Sequence, residues 1–194
     1  MGAIAPRLLL CSRNEHKRAE LERALPGWRI ELLEADFPAE SGATYEENAR
    51  AKARYGREVG RAEDWMLGED SGIEVAALGG KPGVHSARWA DDPIERLLAE
   101  LQGEADRRAR YVCELVAISP EDEERRGTGT LEGRIAEEPR GSEGFGYDPI
   151  LIPDGEERTV GELGNAWKQR NSHRARAAAA LSAATESLRD RQVG

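Results

Sequence analysis

The 194-residue sequence is short of several things, and each shortage excludes a class of protein. It has two cysteines, Cys11 and Cys113, both inside apolar runs, which suits buried free thiols in strands better than a disulfide framework. Two thiols cannot complete a zinc site, and the three histidines, His16, His85 and His173, are not spaced as metal ligands. No apolar stretch approaches the roughly 20 residues that cross a bilayer. The first apolar run is short and is followed at once by Arg13, His16, Lys17 and Arg18, which is not the pattern of a secretory leader. A cytoplasmic protein is therefore expected. Positive charge is also in deficit. A net charge of −9 argues against a nucleic-acid binder built on a basic stripe. It leaves room for a small anionic ligand gripped by a few lysines and arginines, and such a ligand on an acidic protein points to a bridging metal cation.

What is present is enough for a core. Hydrophobic residues make up 39% of the chain and charged ones 34%, but the apolar residues gather in runs at Leu8–Cys11, Ile73–Leu78 and Tyr111–Ile118. Arg7–Cys11 predicts a buried strand, and Asn14 predicts the cap of a helix carrying Leu21 and Leu25 up to Pro26-Gly27. Trp28–Leu33 alternates as a second strand. Thr44 and Glu47 form a capping box for a helix to about Val59, on which Asn48 and Lys52 share a face. Met66–Gly68 reads as a short strand, Asp92-Pro93 as a helix start, Tyr111–Ile118 as a central strand and Thr128–Ile135 as its hairpin partner. A last helix begins near Asn171 or Ser172. No repeat or long linker divides residues 1–194, so the expectation is one α/β domain with a mixed central sheet and flanking helices.

Four segments carry chemistry. Ser12, Arg13, Asn14, Glu15, His16 and Lys17 join a strand to a helix N-terminus, where backbone N–H groups and the helix dipole favour an anion and Lys17 adds a full charge. The loop lacks the glycines of a Walker sequence, and by itself it reads better as an ordinary turn. Glu69-Asp70-Ser71-Gly72 would place two acids at the carboxyl edge of the sheet, where Asp70 could hold Mg²⁺, accept a proton from water, or both. A capped turn with a solvated acid pair is an equal reading of that segment alone. Gly144-Phe145-Gly146-Tyr147-Asp148-Pro149 lets backbone approach a flat ligand closely and offers a ring to stack on it, unless both aromatics fill the core. Lys168, with Ser172-His173-Arg174, could reach the polar edge of a purine, although Ser172 is also a plain helix cap.

In this order and at these separations, Ser12–Leu21, Thr44–Ala53, Glu69–Arg88, Gly144–Pro149 and Lys168–Arg174 together resemble the inosine triphosphate pyrophosphatase family, the XTP/dITP diphosphatases. The likeness spans nearly the whole chain. It implies two lobes around an active-site cleft, a homodimer, and Mg²⁺-dependent hydrolysis of ITP, dITP and XTP to the monophosphate and pyrophosphate. It further implies that Ser12–Lys17 cradles phosphates with help from Lys52, and that Asp70 is proton acceptor and metal ligand with Ser71 touching substrate. Glu40, in the loop before the second helix, is the candidate for the second metal carboxylate. Phe145, Gly146, Tyr147, Asp148, Lys168, His173 and Arg174 would form the base pocket. The chain departs from the family pattern at Arg13, often glycine, at Glu69, usually aspartate, and in the stretches Trp89–Pro93 and Gly161–Lys168. Two rivals stand beside this reading: a pyrophosphatase for another modified base or a pyrimidine, and a nucleotide sensor that binds without turnover.

Overall fold

The structure, a computed structural model, describes residues 5–189, with side chains through Thr185. Its strands are β1 (Arg7–Leu10), β2 (Arg29–Leu32), β3 (Trp65–Val75), β4 (Arg108–Ile118), β5 (Glu124–Ile135) and β6 (Leu151–Pro153). Its helices are α1 (Glu15–Ala24), α2 (Tyr45–Val59), α3 (Pro93–Glu100), α4 (Val160–Asn171) and α5 (His173–Arg189). The strands form one six-stranded sheet in the order β2-β1-β3-β4-β5-β6. β1 pairs in parallel with both β2 and β3, and β6 runs antiparallel to β5, so the sheet is mixed as expected.

The helix starts follow from local chemistry. The Asn14 side chain accepts from the His16 and Lys17 N–H groups, Asp92 does the same for Ile94 and Glu95, and Thr44 and Glu47 make the reciprocal capping box. Two elements differ from the sequence reading. The acids were expected just past a short strand, but β3 continues through Glu69-Asp70-Ser71-Gly72 to Val75, so both lie inside it. Burying an unpaired carboxylate is costly, and here Asp70 is paired with Lys52 and Glu69 with Lys17 and Arg174. Helix α4 was not expected at all. Its start carries a second capping box, Thr159 with Glu162, and Gly164 kinks it at φ 81°.

The chain divides into two compact units. Of the described residues, the first comprises 5–70, 113–129 and 174–189. In it Leu8, Leu10, Leu67, Cys113 and Leu115 pack with Leu21 of α1 and with Ala177, Ala178 and Leu181 of α5. The alternate residues Leu9, Cys11 and Met66 point the other way, as strand geometry demands. There α2 lies so close to β3 that a Cβ on Gly68 would stand 1.8 Å from the Ala49 carbonyl oxygen. The second unit comprises residues 71–112 and 130–173. Its core joins Ile73, Val75, Leu97, Tyr111, Leu131 and Ile150.

Candidate active site

Glu69 and Asp70 are neighbours in β3, so their side chains leave opposite faces of the sheet. Asp70 meets α2. Its Oδ2 accepts from Asn48 Nδ2 at 3.0 Å and its Oδ1 from Lys52 Nζ at 3.0 Å. Lys52 Nζ also donates to the Glu69 carbonyl at 2.9 Å and pairs with the Glu40 carboxylate. Two carboxylates thus share one ammonium. Burial pushes the Asp70 carboxyl up; Lys52 opposes this, the nearby Glu40 charge adds to it, and the net shift is upward. Burial works against the charge on Lys52, but the surrounding acids outweigh it and hold the amine above its ordinary range. Asn48 reaches Asp70 because its four-residue spacing from Lys52 sets both on one face of α2. Its Oδ1 also accepts from Gly42 N at 2.8 Å, tying the preceding loop to α2.

Glu69 meets α1 and α5. It is fully buried, with Lys17 Nζ 2.6 Å from its Oε2 and Arg174 Nη2 2.9 Å from its Oε1. Burial alone would raise its carboxyl, but the Lys17 ammonium and the Arg174 guanidinium hold it well below the usual carboxylate range. Arg174 Nη1 donates in turn to Glu20.

In the second unit the buried Asp148 is a hub. It accepts from Phe145 N at 2.8 Å, Lys168 Nζ at 2.6 Å and Tyr111 Oη at 3.1 Å. Gly144, at φ 84°, has no room for a side chain, since a Cβ would stand 2.1 Å from Asp148 Oδ2. Lys168 Nζ lies 4.6 Å from the centroid of the partly exposed Phe145 ring. His173 stacks on Tyr111 with centroids 4.4 Å apart.

The structure therefore brings the expected residues together in groups. Lys52, Asp70 and Glu40 form one. Phe145, Asp148 and Lys168 form another, with Tyr111 linking His173 to Asp148. Gly146 is exposed in the same turn. Tyr147 and Arg174 are both buried and have partners of their own. Tyr147 lies in the core with its hydroxyl donating to the Ser86 carbonyl at 3.0 Å, and burial pushes its phenol up to about 12. Arg174 donates to Glu69 and Glu20. In the first loop, Ser12 Oγ accepts from Asn14 N, and Asn14 Oδ1 already caps the His16 and Lys17 N–H groups. Arg13 pairs with Asp36 at the surface and Glu15 with Arg18. His16 is exposed and Ser71 half-buried. Among the described residues no three His, Cys, Asp or Glu side chains are grouped to hold a metal ion. Asp70 and Glu40 are two hard oxygen donors at one place, which fits an ion such as Mg²⁺ that retains several waters. No helix among the described residues is long and apolar enough to cross a membrane.

The fold is a mixed α/β sheet whose third strand sets two buried carboxylates against lysines carried by the first two helices. Comparison with known proteins gives the particular family. The profile described as the Ham1 family matches residues 8–184, and the chain belongs to that family. It is 41% identical over 202 aligned residues to a dITP/XTP pyrophosphatase of Deinococcus deserti, covering 100% of this chain and 96% of that protein. A Ham1 protein structure from Coxiella burnetii superposes with a TM-score of 0.82 at 33% identity, covering 94% of this chain and 99% of the other. The structure of a nucleoside-triphosphatase, dITP/XTP pyrophosphatase, from Mycobacterium abscessus gives 0.71 at 40% identity, covering 90% and 97%.

Proposed function

We propose that this chain hydrolyses dITP and XTP, and ITP by the same base chemistry, to the nucleoside monophosphate and pyrophosphate. The observation that carries the mechanism is the convergence of Asp70 and Glu40 on Lys52. Asp70 and Glu40 would hold Mg²⁺, which when bound supplies Lewis-acid polarisation of the phosphate oxygens. Asp70 takes the proton of the attacking water as the bond between the α- and β-phosphates breaks and pyrophosphate leaves. Its upward shift suits a base that must both take and release a proton. Asn48 fixes the orientation of that carboxylate. Lys17 and Lys52 grip the polyphosphate and offset its charge, with Ser12–His16 forming the surrounding loop and Ser71 beside Asp70.

Base recognition falls to the second unit. The Phe145 ring stacks on the purine, while Lys168 and His173, held through Asp148 and Tyr111, supply donors to the 6-oxo group. An adenine amino group there would leave buried donors unpaired, at a cost of roughly 1–3 kcal/mol each. We further propose that the protein acts as a homodimer, cleansing the cytoplasmic nucleotide pool.

The test is pyrophosphate release from dITP, XTP, GTP and ATP, each with and without Mg²⁺. Rapid release from dITP and XTP with the metal, and slow release from ATP, is expected. Binding of dITP without release would reduce the chain to a sensor, and a preference for ATP would remove the proposed base pocket.

A further inference from the structure

Glu69 is a carboxylate with no exposed surface, set in the wall of the apolar cluster that includes Leu67, Cys113 and Leu115. Such a group is costly. Buried ion clusters seldom add net stability, and well-packed apolar residues of similar volume often replace them at no loss. Stability is therefore a poor reason for this one, and its geometry offers a better one. The charges run in a line from Glu20 to Arg174, then Glu69, then Lys17. The two inner members are sealed, with side-chain exposures of 2% for Arg174 and 0% for Glu69. The ends reach the surface, at 14% for Glu20 and 16% for Lys17.

We infer that Glu69 is a positioning residue for Lys17, its carboxylate braced from behind by the forked guanidinium of Arg174. Arg174 places both Nε, at 3.3 Å, and Nη2, at 2.9 Å, on Oε1. That leaves Oε2 aimed at the Lys17 ammonium. A lysine is a compact charge on a flexible stem, so a fixed anchor for its ammonium removes the freedom that would blur its grip on phosphate. Because adjacent strand residues face opposite ways, the Glu69 carboxylate lies apart from that of Asp70, and the cation it touches at the phosphate end is Lys17. Arg174 thereby takes part in the phosphate grip.

This inference rests on the proposed reaction, and the experiment separates the two. Measured with XTP and Mg²⁺ on protein whose thermal melting confirms folding, Glu69→Gln should lower kcat/KM about 100-fold, the scale of a small misplacement of a catalytic group. Lys17→Met should do at least as much. The double variant should be no worse than Lys17→Met within about threefold, because Glu69 then has nothing left to aim. Arg174→Lys keeps the charge but loses the fork, and it takes the place of Glu69→Gln in the same cycle if that variant does not fold. By calorimetry, inorganic tripolyphosphate should bind the wild type more tightly than either variant. Losses that multiply in the double variant, or folded single variants with wild-type kcat/KM and tripolyphosphate affinity, overturn the inference. A wild type inert toward dITP and XTP overturns the proposed reaction instead, and the tripolyphosphate comparison still decides the role of Glu69.

Discussion

Two adjacent acids in one strand have opposite electrostatics. The Asp70 carboxyl is raised, so its ionised form is disfavoured in the fold relative to water. Asp70→Asn should accordingly abolish pyrophosphate release, by at least the roughly 10²–10⁴-fold typical of a lost proton-transfer group. The same variant should leave the melting temperature unchanged or higher, as functional sites often trade stability for activity. Retained turnover would remove Asp70 from its role. The Glu69 carboxyl is depressed from 4.5, so its ionised form stabilises the fold. That contribution is complete above the unfolded value near 4.5 and is lost as pH falls through the lower folded value. In denaturant titrations, the stability gap between wild type and Glu69→Gln should therefore be widest near neutral pH and close below about pH 4.5. A gap independent of pH would contradict the assignment.

At the scale of elements, the site depends on how closely α2 lies on β3. Gly68 makes this possible, and its missing Cβ would stand 1.8 Å from backbone at Ala49. Gly68→Ala should push the helix outward, costing about 1–3 kcal/mol in chemical denaturation, as overpacked sites do. Activity should fall as well, because Asn48 and Lys52 ride on the same helix. Most elements were legible in the sequence. Caps at Asn14, Thr44 and Asp92 and the apolar run Tyr111–Ile118 announce themselves within a few residues. Helix α4 was missed although Thr159 and Glu162 form the same capping box as Thr44 and Glu47, because Gly161 and Gly164 interrupt its helical pattern. The length of β3 was missed because acids normally end a strand prediction, and only their distant cations show why this one continues.

For the whole molecule, a net charge of −9 must be reconciled with a polyanionic substrate. The cluster itself is not basic, since Lys17, Lys52 and Arg174 face Glu69, Asp70, Glu40 and Glu20, so a divalent cation on Asp70 and Glu40 would supply the missing positive charge. If Asp70 and Glu40 hold Mg²⁺, chelation with EDTA should stop pyrophosphate release and excess Mg²⁺ should restore it. Turnover that survives exhaustive chelation would exclude that role. Sedimentation equilibrium should give about twice the 21.3 kDa chain mass if the proposed dimer forms.

By itself the sequence determined the α/β class, the helix starts and the order of the chemistry-bearing segments, because capping, apolar runs and motif spacing are encoded between near neighbours. Only the tertiary structure decided which cation each acid serves. Glu69 and Arg174 lie 105 residues apart, and no local pattern pairs them. Nor could spacing tell that Phe145 is partly exposed while Tyr147, two residues on, is buried with its hydroxyl on Ser86. Strand alternation sends neighbouring side chains to different faces, and what waits on each face is set by packing from remote parts of the chain.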